Sequence, residues 1–305
     1  MKSGFLLCCF CCLLPVLSFA AAPPDNNWNI RDHIPVGKIV IQSHRGAGVL
    51  APENTLDAFQ LGWKLGTVPE SDLRTTKDGV IVAFHDEDFS RVVKGVSEEL
   101  KKKGVKDITF EELSKLDVGA WAGDKFEGRH VSRMTEVFDL MRGKPERHLY
   151  LDIKNVNLKQ LAEEVTSRGV GGQVVLASPK HEIIQEWKSL VPQSDTLLWV
   201  PGEEASMRKK LSAVRKKDFS GITQLQIHIH INTNSPSADP FIPSNAFLLE
   251  VGRELRAHHI LFQTLPYTDD PSVYAKLLDL GVASFATDHP DVALREIRKY
   301  YDAKK

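Results

Sequence analysis

The sequence predicts an α/β fold, because short β-branched runs alternate with amphipathic helical stretches along most of the chain. Repeated strand–helix units of this kind form parallel sheets. Eight such units close into a (β/α)8 barrel of about 250 residues, of the TIM type. The 305 residues of the chain are enough for one such barrel. Ionisable residues recur at the ends of the predicted strands, which is where catalytic groups lie in such barrels.

The pattern gives nine candidate strands, one more than a barrel needs. They are 38–42, 67–72, 80–84, 148–153, 173–178, 196–200, 222–231, 260–265 and 282–286. Helical stretches separate most of them, at 157–168, 181–190, 247–258 and 271–280. One candidate is therefore expected to lie outside the barrel.

The first predicted helix follows the motif Pro52–Thr55 and has the sequence LDAFQLGWKLG. Its apolar residues recur roughly at helical spacing. Asn54 is the expected N-cap, and Gly66 the expected stop, since glycine accepts the left-handed conformation that ends many helices.

The interval between His85 and Tyr150 contains no clear strand. A connection of this length is unusual in a compact domain. We interpret about 88–146 as a small insertion after the third strand, lying over one end of the barrel. Residues 23–305 are then a single domain.

The first 22 residues have the pattern of a cleaved secretory signal. Lys2 precedes an apolar run from Phe5 to Leu17, and small residues follow, with cleavage expected after Ala20 or Ala22. The apolar run is shorter than the ~20 residues of a spanning helix. The sequence therefore predicts a secreted or periplasmic protein with no stable membrane anchor.

Composition excludes several classes of protein. The formal charge of -1 argues against a nucleic-acid partner, which would require a basic surplus. All four cysteines lie in the first twelve residues, so the predicted mature chain has no thiol nucleophile or thiol ligand. The oligomeric state is left open.

Ionisable side chains end four consecutive predicted strands: His44 and Arg45, Glu70 and Asp72, His85 and Asp86, and Asp152 and Lys154. Charged residues are rarely buried unpaired, so core packing does not explain this recurrence. Glu70 and Asp72 are two residues apart and point to the same face of a strand. Two such carboxylates repel unless a cation neutralises them, and oxygen ligands suit Mg²⁺ or Ca²⁺. The alternative is a pair balanced by Lys154 or Arg45.

The link from Leu73 to Gly79 allows two topologies. An extended link could return the chain so that the third strand runs parallel, or a hairpin at Lys77–Gly79 could turn it back. Both place His85 beside the carboxylates. Two imidazoles beside a cation suit general acid–base catalysis, and Arg45 with Lys154 could bind a phosphate. This set fits phosphoryl transfer better than glycoside cleavage, which needs only two carboxylates across a sugar bond.

These residues resemble the motifs of the glycerophosphodiester phosphodiesterase family. The matching segments are HRG at 44–46, PENT at 52–55, Glu70-x-Asp72, TKDG at 76–79 and HD at 85–86. Further segments that resemble the family are 107–119, LDIK at 151–154 and ATDHP at 286–290.

The resemblance implies a barrel with a small insertion that hydrolyses glycerophosphodiesters to sn-glycerol 3-phosphate and an alcohol. It implies that His44 and His85 are the acid–base pair, and that Glu70, Asp72 and Asp152 hold one divalent cation, Ca²⁺ or Mg²⁺. Arg45 and Lys154 are implied phosphate contacts. The substrate would be a small-molecule glycerophosphodiester whose alcohol group the sequence does not specify.

The chain departs from the family pattern at two places. Asp152-x-Lys154 stands where Glu-x-Lys is usual, so the shorter side chain reaches the cation either directly or through water. Gln263–Pro266 replaces a Trp-Thr-Val-Asn strand and removes an aromatic wall.

Two other functions stay open, a phospholipase D-like enzyme acting on lysophospholipids or sphingomyelin and a non-catalytic barrel that binds phosphorylated metabolites. His228 and His230, which form a His-x-His pattern, are interpreted as ordinary residues of a half-buried strand.

Overall fold

Eight parallel strands close into a barrel in the computed structural model, which describes residues 28–234, 239–268 and 270–303. The strands of the described chain are β1 (Val40–Ser43), β2 (Val68–Thr75), β3 (Ile81–Ala83), β4 (Leu149–Asn155), β5 (Val174–Ser178), β6 (Asp195–Val200), β7 (Gln224–Ile231), β8 (Phe241–Ile242), β9 (Leu261–Pro266) and β10 (Ser284–Thr287). The barrel order is β1-β2-β4-β5-β6-β7-β9-β10, and β10 pairs with β1 to close it. The predicted (β/α)8 barrel is confirmed.

Helices cover the outside of the barrel. The α-helices of the described residues are α1 (Ile30–His33), α2 (Leu56–Leu65), α3 (Glu98–Lys101), α4 (Phe110–Leu113), α5 (Met134–Met141), α6 (Leu158–Ser167), α7 (His181–Leu190), α8 (Glu204–Arg215), α9 (Asn245–Ala257), α10 (Ser272–Asp279) and α11 (Pro290–Asp302). Apart from α3 and α4, their buried faces share one large apolar core with the strands, which includes the fully buried Phe59, Trp187, Phe247 and Phe285. This core fixes the strand ends on which the candidate site residues lie.

The third predicted strand is β3, and it lies outside the barrel. It pairs antiparallel with β2, with Leu73 opposite Ala83 and Thr75 opposite Ile81. A tight turn closes this hairpin, in which the Gly79 N–H donates to the Thr76 carbonyl and Gly79 has a φ of +86°. The hairpin topology is therefore confirmed, and the extended link with a parallel third strand is wrong.

The segment after β3 has a hydrophobic core of its own. Its buried members include Phe89, Val92, Val93, Leu113 and Val118. Trp121 is half-buried against this core, and its Nε1 donates to the Val118 carbonyl over 2.9 Å. Helix α5, which also falls in the range 88–146, contributes its buried residues to the barrel core instead.

Helix α2 begins one residue later than the sequence indicates. Its N-cap is Thr55, whose Oγ1 accepts from the Ala58 N–H over 3.3 Å, so the assignment of Asn54 as the cap was wrong. Asn54 has a φ of +57° and directs its side chain into the barrel. Gly66, with a φ of +80°, ends the helix as predicted.

The predicted secretory signal, residues 1–22, lies outside the described residues, and export stays a prediction. Within the described residues, no helix combines the length and the apolar character that crossing a bilayer requires.

Candidate active site

A cavity of about 240 Å³ opens at the carboxyl ends of the barrel strands. Six of the seven predicted site residues line it: His44, Arg45, Glu70, His85, Asp152 and Lys154. The seventh, Asp72, is buried and contacts Lys154. A larger groove lies outside the barrel between α2 and α11, but none of the predicted site residues lines it.

The cavity has an ionic half and an uncharged half. The ionic half comes from β1, β2, β4 and the end of the β2–β3 hairpin. The other strands contribute mainly uncharged side chains, namely Ala177, Leu197, Trp199, Gln226, His228, Leu265, Tyr267 and Ala286. A ligand with a charged and an uncharged part therefore has one orientation that matches both halves.

Three carboxylates form a cluster at the bottom of the ionic half. Glu70 and Asp72 lie on β2, and Asp152 lies directly opposite Asp72 on the parallel strand β4. Each offers an oxygen within 4.8 Å of the others. Glu70 and Asp72 are each only 1% exposed, so water compensates little of their charge.

The pKa values in this cluster diverge. Burial and the charge of Asp72 raise the pKa of Glu70 to about 8. Burial also raises the pKa of Asp152, since it outweighs the opposing effect of Lys154. Burial would raise the pKa of Asp72 as well, but Lys154, His85, His44 and a hydrogen bond from Asn54 lower it below its ordinary value. If all three carboxylates were ionised, their negative charge would exceed what the protein neighbours compensate, so the cluster takes up either a proton or a cation.

The carboxylate cluster fits a divalent cation. Glu70 Oε1 and Asp152 Oδ1 are buried without a hydrogen-bond partner. Buried carboxylate oxygens normally have partners, so these two have unused capacity for a ligand. Oxygen-only donors of this kind suit hard cations. Lys154 alone does not balance the cluster, although its Nζ lies 3.0 Å from Asp72 Oδ1 and 2.6 Å from Asp152 Oδ2.

Arg45 lies above this cluster in a strained turn. It has a φ of +52°, and its backbone N–H donates to Glu70 Oε2 over 2.7 Å. Gly46 follows at a φ of +107°, where a Cβ would come within 2.6 Å of Ala58, so the tight turn requires glycine. The guanidinium Nη1 donates to Glu53 over 3.1 Å, and the buried Nε has no hydrogen-bond partner but lies 3.9 Å from Asp72 Oδ2. The guanidinium thus brings positive charge beside the carboxylate cluster.

Each histidine of the site donates from Nδ1 to an aspartate. His44 Nδ1 is 2.7 Å from Asp288 Oδ1, and His85 Nδ1 is 2.6 Å from Asp86 Oδ1. An ionised carboxylate only accepts, so Nδ1 carries the hydrogen and Nε2 is free for the substrate. Burial lowers the pKa of His44, but the hydrogen bond to Asp288 and the charges of Glu70 and Asp288 outweigh it and raise that pKa above its ordinary value.

Backbone contacts fix the position of both rings. The Gly48 N–H donates to the His44 carbonyl, and Gly48 lies so close to Asp288 that a Cβ would come within 2.0 Å of the Asp288 carbonyl oxygen. On the other side, Arg74 Nε and Nη2 donate to the His85 carbonyl over 3.0 and 2.7 Å. Both rings therefore line one cavity, and the strands that precede them, β1 and β3, lie along the same edge of β2, since β4 occupies the other edge.

Asn54 is a site residue whose role sequence reasoning missed. Its Nδ2 donates to Asp72 Oδ2 over 2.9 Å, and its Oδ1 accepts from the Asp72 N–H over 3.0 Å. These two bonds hold the carboxylate of Asp72 in one orientation. The PENT motif was the available signal, but it was interpreted only as a helix start.

Removing the Asn54 side chain is expected to weaken cation binding about 10- to 100-fold, the usual effect of losing a residue that orients a metal ligand. Asn54→Gly is the suitable variant, because glycine accepts the φ of +57° and only the amide is lost. Titration calorimetry with Ca²⁺ and with Mg²⁺ measures the affinity.

Thr55→Ala is the matched control. It removes the α2 N-cap hydrogen bond and is expected to cost about 1 kcal/mol of stability without touching Asp72. Equal cation affinity in Asn54→Gly and the parent would contradict the orienting role.

His228 is a half-buried residue of strand β7, as the sequence predicts, and it also lies in the uncharged half of the cavity. Its ring stacks on Trp199 with the ring centroids 5.4 Å apart, and its Nδ1 is 3.1 Å from the Tyr267 hydroxyl. Burial, with the nearby charge of His230 and His44, lowers the pKa of His228 to about 4, so the ring stays neutral. Trp199, His228 and Tyr267 form an aromatic wall, although Gln263 stands where the family has tryptophan.

The fold and this site define a barrel enzyme equipped for phosphoryl chemistry. A family model described as "Glycerophosphoryl diester phosphodiesterase family" matches residues 44–292. The glycerophosphodiester phosphodiesterase of Bacillus subtilis is 25% identical over an alignment of 322 residues, gaps included, which covers 99% of this chain and 100% of that relative. The chain belongs to the glycerophosphoryl diester phosphodiesterase family and is an enzyme of that class, as the sequence predicts.

Two further comparisons are consistent with this family. The glycerophosphodiester phosphodiesterase of Caldanaerobacter subterraneus subsp. tengcongensis is 32% identical over 162 residues, which cover 51% of this chain and 64% of that relative. Among solved structures, an Oleispira antarctica phosphodiesterase in complex with the product sn-glycerol-3-phosphate aligns with a TM-score of 0.61 at 23% identity. That alignment covers 85% of this chain and 96% of that one, and it supports the shared fold.

Proposed function

We propose that this enzyme hydrolyses glycerophosphodiesters to sn-glycerol 3-phosphate and an alcohol, with His44 and His85 as the acid–base pair. The observation that carries the proposal is that both imidazoles line one cavity, each with Nδ1 bound to an aspartate. Simple capture of a phosphorylated metabolite needs no pair of proton carriers. The curated relative in Bacillus subtilis and the product named in the Oleispira antarctica complex support the same reaction.

In this proposal Arg45 binds the phosphodiester with guanidinium donors that its bond from Nη1 to Glu53 leaves unused. Lys154 lies beside it and holds Asp72 and Asp152, so its positive charge also faces the phosphate. Neither residue transfers a proton in this proposal: a guanidinium stays charged at ordinary pH, and the charges of Asp72 and Asp152 outweigh burial and raise the pKa of Lys154. Their function is to position the diester and to balance its charge.

Glu70, Asp72 and Asp152 would hold one divalent cation, either Ca²⁺ or Mg²⁺. When bound, the cation stabilises negative charge that develops on the phosphate oxygens. Glu70 Oε2 keeps its bond to the Arg45 N–H, which leaves Oε1 for the cation. Asp152 Oδ2 is bound to Lys154, which leaves Oδ1.

The histidines would move the protons. The 2-hydroxyl of the glycerol attacks phosphorus and gives its proton to Nε2 of one histidine. The bond from phosphorus to the leaving alcohol breaks, and the other histidine protonates that oxygen. Water then opens the cyclic phosphate, with the two histidines in exchanged roles, so that both end in their starting states.

A second candidate is hydrolysis of lysophospholipids. Three large apolar side chains are exposed near the carboxyl ends of the strands, Val49 at 64%, Ile242 at 42% and Tyr267 at 50%, and Tyr267 also lines the cavity. Val49 follows β1, Ile242 lies on β8 and Tyr267 follows β9. An apolar rim at the site favours a substrate that carries an acyl chain.

A substrate panel separates the two candidates. Glycerophosphocholine, glycerophosphoethanolamine, glycerophosphoinositol and lysophosphatidylcholine are each assayed with Ca²⁺ and with Mg²⁺, and release of the phosphate product is followed. We expect the highest kcat/KM for a glycerophosphodiester and formation of sn-glycerol 3-phosphate. Turnover of the lysophospholipid alone would favour the second candidate, and turnover of none would contradict both.

A further inference from the structure

Arg91 lies in the turn after β3 and directs its side chain to the catalytic site. Its neighbours Phe89, Val92 and Val93 are buried in the core of the insertion. The Phe89 N–H is also bound to the carbonyls of Lys101 and Lys103. The insertion therefore anchors the backbone on both sides of Arg91 and fixes where its guanidinium can reach.

The guanidinium bridges two carboxylates. Its Nε and Nη2 donate to Asp86 over 2.6 and 3.0 Å, and its Nη1 and Nη2 donate to Glu53 over 2.7 and 2.6 Å. A planar fork of this kind specifies both the distance and the angle of its partners, which a lysine cannot do. Accordingly, the pKa of Arg91 is raised, first by its hydrogen bonds to Glu53, and that of Asp86 is lowered below its ordinary value, because its bonds to Arg91 and His85 outweigh burial.

Each of these carboxylates also holds a residue of the site. Asp86 Oδ1 accepts from His85 Nδ1 over 2.6 Å. Glu53 accepts from Arg45 Nη1 over 3.1 Å. A continuous chain of charged hydrogen bonds thus runs from the imidazole through Arg91 to the second guanidinium.

Atoms of Glu53, His85 and Asp86 lie within 4.8 Å of one another, a spacing that could also hold a metal ion. Arg91 already supplies positive charge and four hydrogen bonds to the two carboxylates of this group. Glu53 accepts from Arg45 as well. The group is therefore an ion-pair network.

We propose that Arg91 is a positioning residue for the reaction, through which the insertion sets the orientation of the His85 imidazole. By holding Glu53 as well, Arg91 fixes the guanidinium of Arg45 relative to that imidazole. The kinetic part of this inference depends on the proposed phosphodiesterase function. A misplacement of about 1 Å in such a pair can lower the rate by roughly 100-fold.

Arg129 offers a matched control within the same insertion. Its side chain is 39% exposed, against 40% for Arg91, and its Nε is paired with Asp57 on α2. Both arginines therefore connect the insertion to the barrel, but only Arg91 connects it to the site.

The kinetic experiment compares Arg91→Ala, Arg91→Lys and Arg129→Ala with the parent on glycerophosphocholine. We expect kcat to fall about 10- to 100-fold in Arg91→Ala, with partial recovery in Arg91→Lys and on adding guanidinium. Arg129→Ala should keep the parental kcat, and urea unfolding should show similar stability for the two alanine variants. Parental kcat in Arg91→Ala, or equal losses in both alanine variants, would overturn the proposal.

A second measurement needs no substrate. The imidazole ¹⁵N signals of His85, assigned by comparison with His85→Ala, report the hydrogen bond at Nδ1. Their chemical shifts should differ from those of the parent in Arg91→Ala and should equal them in Arg129→Ala. If the parent hydrolyses no glycerophosphodiester, the proposed function fails, while this shift still decides whether Arg91 orients His85; unchanged signals would refute that role.

Discussion

Replacement of His44 or His85 by alanine is expected to lower kcat on a glycerophosphodiester by about 10²–10⁴-fold, the usual contribution of a positioned proton carrier. The reason is that each ring has only one free nitrogen, since Nδ1 is bound to an aspartate. Losing either ring leaves one proton transfer without a partner. Steady-state kinetics that follow sn-glycerol 3-phosphate release measure the effect.

The double variant tests whether the two histidines act as a unit. Two groups that serve one proton-transfer cycle have non-additive effects, so the loss in His44→Ala/His85→Ala should be far smaller than the product of the single losses. Two independent contributions would multiply instead. Multiplication would argue that the two rings serve separate steps.

The single variants should still fold and still bind the cation, because neither histidine is part of the carboxylate cluster. Urea unfolding and calorimetry with Ca²⁺ and Mg²⁺ check these two points. His130→Ala is a suitable control, since His130 is an exposed histidine of the insertion whose Nδ1 contacts the Leu116 carbonyl. A single variant that hydrolyses glycerophosphocholine at the parental rate would remove that histidine from the mechanism.

The barrel was predictable from the sequence because its strands and helices alternate regularly along the chain. The strand candidates are β-branched runs, and a strand–helix repeat has few topologies open to it. The position of β3 could not be derived in the same way. The seven residues Leu73–Gly79 are enough for an extended link and also for a hairpin turn, and the turn formed at Thr76–Gly79 decides between them.

The site was predictable where ionisable residues follow strands directly. Glu70 and Asp72 share a face because of strand geometry, and Asp152 lies opposite Asp72 because β4 pairs with β2 in parallel. Asn54 and Arg91 were not predictable in this way. Their roles depend on a backbone turn with a positive φ and on a loop anchored in the insertion core, and neither produces a periodic pattern.

The aromatic wall is a feature that the sequence comparison predicted to be absent and that the structure nevertheless contains. The absence of the family's tryptophan at Gln263 predicted that the wall was lost. In the barrel, Gln263 is fully buried and donates to Ser284 Oγ over 2.8 Å, while Trp199 and Tyr267 face the cavity. Residues that are distant in sequence provide the surface, so a local motif comparison does not detect the replacement.

Removal of divalent cations is expected to abolish activity, and Glu70→Gln is expected to have nearly the same effect. Loss of a residue that merely orients a ligand costs about 10- to 100-fold, so loss of a ligand should cost at least about 100-fold. Glutamine keeps the size of the side chain and an oxygen that can accept from the Arg45 N–H. The variant therefore tests the charge of Glu70 rather than the packing around it.

Calorimetry distinguishes loss of the cation from general damage. In the parent, Ca²⁺ or Mg²⁺ should bind at a single site after chelation and should raise the unfolding temperature, because a ligand of the folded state stabilises it. Glu70→Gln should show neither effect. Glu164→Gln is the matched control, since Glu164 is a half-buried glutamate on α6 whose pKa burial also raises, but it lies outside the carboxylate cluster.

The two arms of this experiment have different consequences. The uncompensated oxygens of Glu70 and Asp152 are the reason to expect a cation, so failure of both cations to bind would mean that protons and Lys154 balance the cluster. If calorimetry shows that the parent binds a cation but activity is full after exhaustive chelation, the cation would instead be a structural ligand. In that case Arg45, Lys154 and the two histidines would have to stabilise the phosphate charge by themselves. The loss of kcat/KM in Arg45→Ala should then exceed the loss in Glu70→Gln.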